Sequence, residues 1–111
     1  VTTSTTTPAE ARLALIQSAA TAFADTFGSA ELGHDVGSYM TCSEADTMAT
    51  LMAVASQDVE AAAQFLAGHA YGDDDPDDTH GPWVPEGDHS IPADVVLEKA
   101  RAYVRGALLG E

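Results

Sequence analysis

The chain has 111 residues, with 18 acidic and 4 basic side chains and a formal net charge of −14. That length fits one domain. A surface so negative repels phosphate backbones and anionic lipid, so it argues against direct binding to nucleic acid or membrane and favours cations, basic proteins or ordinary proteins as partners.

Cys42 is the one cysteine, which rules out an intramolecular disulfide and any multi-cysteine zinc site and fits a reducing compartment. No window approaches the roughly 18 consecutive apolar residues of a membrane span, and Val1–Thr7 lacks the regions of a signal peptide. The expected location is therefore cytoplasmic, although a cleaved secreted form is also compatible with the sequence. The hydrophobic fraction is 45%, much of it alanine, while aromatics supply only 6%. Such a composition favours thin helices packed closely around small side chains.

Residues 1–7 form a threonine-rich stretch without periodicity, read as a disordered tail. Thr7, Pro8 and Glu10 then make a capping box with proline at the first helical position, so a helix is expected to start there. Leu13, Ile16, Ala20, Phe23 and Phe27 recur at spacings of three and four and form its apolar stripe, with Gly28 placed for a left-handed cap. From Gly28 to Met40 the glycines at 28, 33 and 37 break the period, which predicts a loop with a short turn around Ser29–Leu32.

Thr41 and Glu44 repeat the capping-box spacing and open a second helix whose face is Ala45, Met48, Met52 and Ala55, with Leu51 beside it. Ser56, followed by Asp58 and Glu60, reads as the N-cap of a third helix with face Val59, Ala62, Ala63, Leu66 and Ala70, closed by Gly72. A tight αα-hairpin is preferred over one helix kinked at Ser56. Residues 72–91 hold Pro76, Pro82 and Pro85, seven acids and no base, and read as a long acidic loop. A last helix begins near Ser90 or Pro92, shows Val96, Ala100, Tyr103, Val104, Ala107 and Leu108 on one face, and ends at Gly110. The expectation is an all-α domain over residues 8–111, a compact bundle of about four helices with the acidic loop between the third and last.

Asp73, Asp74, Asp75, Asp77 and Asp78 crowd one segment and repel one another. With Asp75 first, Asp77 third, Thr79 fifth and Glu86 twelfth, the spacing approaches a calcium-binding EF-hand loop. His80 stands at the sixth position, where the turn needs glycine, and Pro82 and Pro85 obstruct the exiting helix. A looser site for Ca2+ or another divalent metal would draw on Asp73, Asp75, Asp77, Thr79, His80 and Glu86. A solvated loop is the plainer reading, with no cofactor.

His69, His80 and His89 offer nitrogen ligands for zinc or nickel, but histidines among acids read first as pH-sensitive surface groups. Cys42, at the first position of the second helix, is a reactive-thiol candidate because amide donors and the helix dipole lower a thiol pKa. Its plainer role is as a small core residue. Met40, Met48 and Met52 read as core filler. Trp83 is either a lid over the helices or, together with Asp73, Asp74, Asp75, Asp77 and Asp78, an anchor for a protein partner.

No phosphate-binding loop, dinucleotide turn, HExxH motif or nucleophile elbow occurs, and the aspartate–serine attachment dipeptide of carrier proteins is absent. The run Thr41, Cys42, Ser43, Glu44, Ala45, Asp46, continued by Phe65–Ala70, the aspartates and His80, resembles small uncharacterised acidic proteins of high-GC actinobacteria and their phages. That resemblance implies no activity.

The sequence therefore points to a non-enzymatic interaction or regulatory protein, with a protein partner, a basic one fitting its charge, or a second copy meeting it through alanine-rich faces. The alternatives are a nucleic-acid mimic that occupies a basic groove on a DNA-binding protein or nuclease, a calcium- or other metal-binding module, and a surface adapted to high salt.

Overall fold

The computed structural model describes residues 7–56, 58–72, 79–88 and 91–111. Most of the expected tail, the aspartates at 73–78 and His89 lie outside these residues. Among those described, five α-helices and no strand occur: α1 Pro8–Phe27, α2 Ala30–Asp35, α3 Cys42–Ser56, α4 Glu60–Tyr71 and α5 Asp94–Tyr103. Short 3-10 turns at Gly37–Tyr39 and Gly81–Trp83 and a π-turn at Val104–Leu108 complete the set. The all-α class holds, with five helices where about four were expected.

Both capping boxes form. Thr7 Oγ1 accepts from the Glu10 amide at 3.1 Å, with Pro8 at the first helical position. At α3 the exchange is reciprocal, the Thr41 amide donating to Glu44 Oε1 at 2.9 Å and the Glu44 amide to Thr41 Oγ1 at 3.2 Å. These bonds hold the Glu44 carboxyl below its ordinary range. The α3–α4 junction is a tight hairpin, but α4 begins at Glu60 rather than at a Ser56 cap. Ser56 Oγ instead turns back on the Met52 carbonyl at 2.7 Å, and Asp58 Oδ1 accepts from the Glu60 amide.

Helix α4 is the centre of the fold. Every residue from Phe65 to Ala70 is buried, along with Ala62 and Ala63. Around it the core gathers Ala45, Ala49, Met52 and Ala53 of α3, Val96, Leu97 and Ala100 of α5, and Val104. The buried stripe of α3 thus includes Ala45 and Met52 as expected and adds Ala49 and Ala53; Met48 packs half-buried at its edge, Ala55 is half-buried, and Leu51 stays 45% exposed. Large, fully buried side chains are few, namely Phe65, Met52, Leu66, His80, Val96 and Val104. Each apolar one contributes about 1.5–3 kcal/mol by leaving water.

Small residues let helices approach backbone to backbone. A β-carbon on Gly33 of α2 would lie 2.2 Å from the Phe65 carbonyl oxygen, and one on Gly68 of α4 only 2.0 Å from that of Ala30. Gly33 therefore does not break a helix here; it permits α2, whose Ser29 cap accepts from the Leu32 amide, to lie against α4. Gly28 likewise departs from expectation. Its φ of −81° is not left-handed, and its lack of a side chain leaves room for Ala61.

Helix α1 is only partly docked. Phe23, Ala24 and Phe27 pack on the core, but Leu13 and Ile16 of the expected stripe are 56% and 59% exposed. All residues from Pro8 to Ala19 are exposed. At the other end of the chain, Arg101 of α5 grips Glu60 of α4 with two bonds of 2.9 and 3.0 Å and reaches Glu98 at 2.6 Å. Gly110, with φ of 73°, ends the terminal turn as expected.

Candidate functional site

The acidic segment brings one described residue into the interior, and it is a histidine. His80, just before the Gly81–Trp83 turn, is wholly buried, so it is no surface group. Its Nε2 lies 2.8 Å from Asp46 Oδ1 on α3. The other carboxylate oxygen of Asp46 accepts from the Tyr103 hydroxyl at 2.6 Å. Burial, then the neighbouring Asp46 carboxylate, raises the Tyr103 pKa well above the ordinary phenolic value, so the hydroxyl stays a donor.

Aromatic rings wall this histidine in. Trp83 and Tyr103 meet its ring edge-on at centroid distances of 4.9 and 5.2 Å, and each other at 5.3 Å. Trp83 thereby acts as the lid, half-buried and packed against the core. In a core poor in aromatics, Tyr103 brings this ring contact from α5 and Trp83 from the Gly81–Trp83 turn.

The ring of His69, on α4, stands edge-on to His80 at 4.8 Å. It is 2% exposed, and its Nδ1 lies 2.7 Å from the Gly37 carbonyl oxygen. A carbonyl only accepts, so Nδ1 carries the proton and Nε2 presents its lone pair. That Nε2 is buried and has no hydrogen-bond partner in the structure. The third member is Cys42, partly buried in the first turn of α3 one helical turn before Asp46. One ligand atom from each of Cys42, His69 and His80 lies within 4.8 Å of the others.

Of the residues expected to make an oxygen-rich cation site, Thr79 and Glu86 are exposed, and His80 faces the core on Asp46. Asp73, Asp74, Asp75, Asp77 and Asp78 fall outside the described residues. Tyr71 fastens the end of the loop: its hydroxyl donates to Asp88 Oδ2 at 2.7 Å and accepts from the Ala93 amide at 2.9 Å. Burial is the main cause of its raised pKa. The sequence gives Asp46 no site role, although its spacing of four from Cys42 places both on one face of α3.

A second feature is apolar. Ile16 and Ala20 of α1 with Leu51 and Val54 of α3 line an open groove of about 370 Å³. Leu51 and Val54 are 45% and 63% exposed there. No known family model, curated protein or solved structure matches the chain. None of the described helices is long and apolar enough to cross a membrane.

Proposed function

We propose that this chain is a protein-interaction module that docks a helix in the α1–α3 groove, the occupant being α1 of a second copy. The observation that carries this reading is the run of exposed apolar side chains, Leu13 and Ile16 continuing into Leu51 and Val54. Leu13, Ile16 and Ala20 follow helical spacing, so they form one stripe that a partner helix can cover.

Two arguments select a second copy. An exposed helical segment of a dozen residues is marginal in water on its own, and Pro8–Ala19 is such a segment. Cover by an identical segment satisfies both copies at once, as two-fold symmetry requires. Charge supports the same surface. In a chain of net −14, residues 8–24 carry only Glu10 and Arg12, so two copies meet here without the repulsion they meet elsewhere.

Sedimentation equilibrium of the full chain tests the reading. The expected result is a monomer–dimer equilibrium shifted to monomer by Ile16→Glu and by Val54→Glu, with helical circular dichroism retained. A wild-type monomer up to millimolar concentration contradicts it, and so does a dimer indifferent to both substitutions.

A further inference from the structure

We infer that Cys42, His69 and His80 form a binding site for a d-block divalent cation, with Zn2+ the best match. Three ligand atoms within 4.8 Å of one another, from three separate segments, set the geometry. A tetrahedral zinc ion with bonds of about 2.0–2.3 Å places its ligand atoms about 3.3–3.6 Å apart. Contraction of about 1 Å, within reach of side-chain rotation, therefore completes the first three corners. Water takes the fourth.

The second observation is independent of proximity. His69 Nε2 is buried, carries a lone pair and has no hydrogen-bond partner. Proteins seldom leave such an acceptor unsatisfied. Its tautomer is set by the Gly37 carbonyl at Nδ1, the arrangement by which a backbone carbonyl orients a metal-ligating imidazole. His80 has the corresponding support on its opposite nitrogen, a carboxylate from Asp46, itself steadied by Tyr103. Nδ1 is then the His80 ligand atom. Both histidines are thus oriented by outer groups toward one point that Cys42 shares.

Donor chemistry chooses the metal. One thiolate and two imidazoles suit Zn2+ and its d-block neighbours, whereas Ca2+ and Mg2+ require oxygen. The Cys42 thiolate and the Asp46 carboxylate together balance a charge of +2. Cys42 lies in the first turn of α3, and a bound d-block cation takes it as the thiolate, releasing its proton. A Cys–His–Asp nucleophile would use Cys42, His80 and Asp46 but has no use for a second buried imidazole turned to the same point. His80 under Trp83 and Tyr103 is also closed to a substrate.

The test uses the full chain stripped with chelator and then titrated with Zn2+ and, separately, Co2+. One equivalent of Zn2+ should bind with submicromolar Kd and raise Tm. Co2+ should give the near-ultraviolet thiolate charge-transfer band together with the intense visible bands of a tetrahedral site. Cys42→Ser should abolish the charge-transfer band, His69→Gln should weaken Zn2+ binding at least tenfold, and Asp46→Asn should weaken it 10–100-fold. His34→Gln, at a half-buried histidine outside the cluster, should leave the Co2+ spectrum and Zn2+ affinity unchanged.

If a variant fails to fold, the wild-type Co2+ spectrum still decides. Octahedral Co2+ without a thiolate band, Zn2+ affinity unaffected by Cys42→Ser and His69→Gln, or preference for Ca2+ over Zn2+ each overturns the assignment. The Ile16→Glu monomer should give the same Co2+ spectrum, which separates failure of this site from failure of the docking face.

Discussion

Gly68→Ala offers a stringent test of the packing that builds the site. The new methyl would lie 2.0 Å from the Ala30 carbonyl oxygen and 2.6 Å from the His34 amide nitrogen, both backbone atoms that no rotamer change can move aside. Relief requires α2 and α4 to part by more than 1 Å, which strips contacts from Phe65. Overpacking of this kind costs about 1–3 kcal/mol, and loss of helix–helix contact adds to it. The gain in helix propensity returns only about 1 kcal/mol. The expected net loss is about 2–4 kcal/mol, or a fall in Tm of roughly 10–25 °C for a domain of this size.

Urea unfolding followed by circular dichroism measures it. Gly106→Ala is the control, because its β-carbon meets nothing within 4 Å, and it should shift stability by no more than about 1 kcal/mol. Because α2 leads into Gly37, whose carbonyl holds His69 Nδ1 at 2.7 Å, Gly68→Ala should also weaken Zn2+ binding. A Gly68→Ala protein as stable as wild type, or more so, would refute the close α2–α4 approach.

Other outcomes follow from particular contacts. Phe65→Ala, at a residue 1% exposed, should cost about 3–5 kcal/mol in the same melts. Tyr103→Phe keeps the ring contacts with His80 and Trp83 but removes the donor to Asp46, so it should cost about 1 kcal/mol and leave helix content unchanged. Arg101 holds the Glu60 carboxyl below its ordinary range, chiefly by direct hydrogen bonds. A group with a depressed folded pKa contributes stability that is fully present above its unfolded pKa and lost as pH falls through the folded value. Since Glu60 is 42% exposed, the pair is worth no more than about 1 kcal/mol. Glu60→Gln should therefore match wild type in melts below the carboxylate range and fall behind it at neutral pH; an equal deficit at both would contradict the pairing.

Features written in local chemistry were legible in the sequence. Thr7 with Glu10 and Thr41 with Glu44 signal helix starts because the bonds they make span three residues. Gly72, whose amide donates to the His69 carbonyl, and Gly110, with its positive φ, mark helix ends by equally local chemistry. Helix α2 was not legible, because Gly33 reads locally as a breaker while its role is set by Phe65, 32 positions away. The stripe of α1 is apolar as its spacing indicates, yet periodicity cannot say what covers it, and Leu13 and Ile16 remain exposed.

The site divides in the same way. Cys42, His69 and His80 each stood out by residue type. What joins them is the α3–α4 hairpin and the return of the chain over α5, neither of which leaves a spacing signature. Tyr103 looked like one more member of an apolar face, and only the fold shows its hydroxyl on Asp46.

The central structural claim is that His69 turns a buried lone pair toward Cys42 and His80. Long-range proton–nitrogen NMR of the imidazole rings reads it directly. Without metal, His69 should be protonated at Nδ1 and bare at Nε2, and one equivalent of Zn2+ should shift Nε2 while Nδ1 keeps its proton. A proton on Nε2 with Nδ1 bare, or a His69 spectrum unchanged by Zn2+, would contradict it.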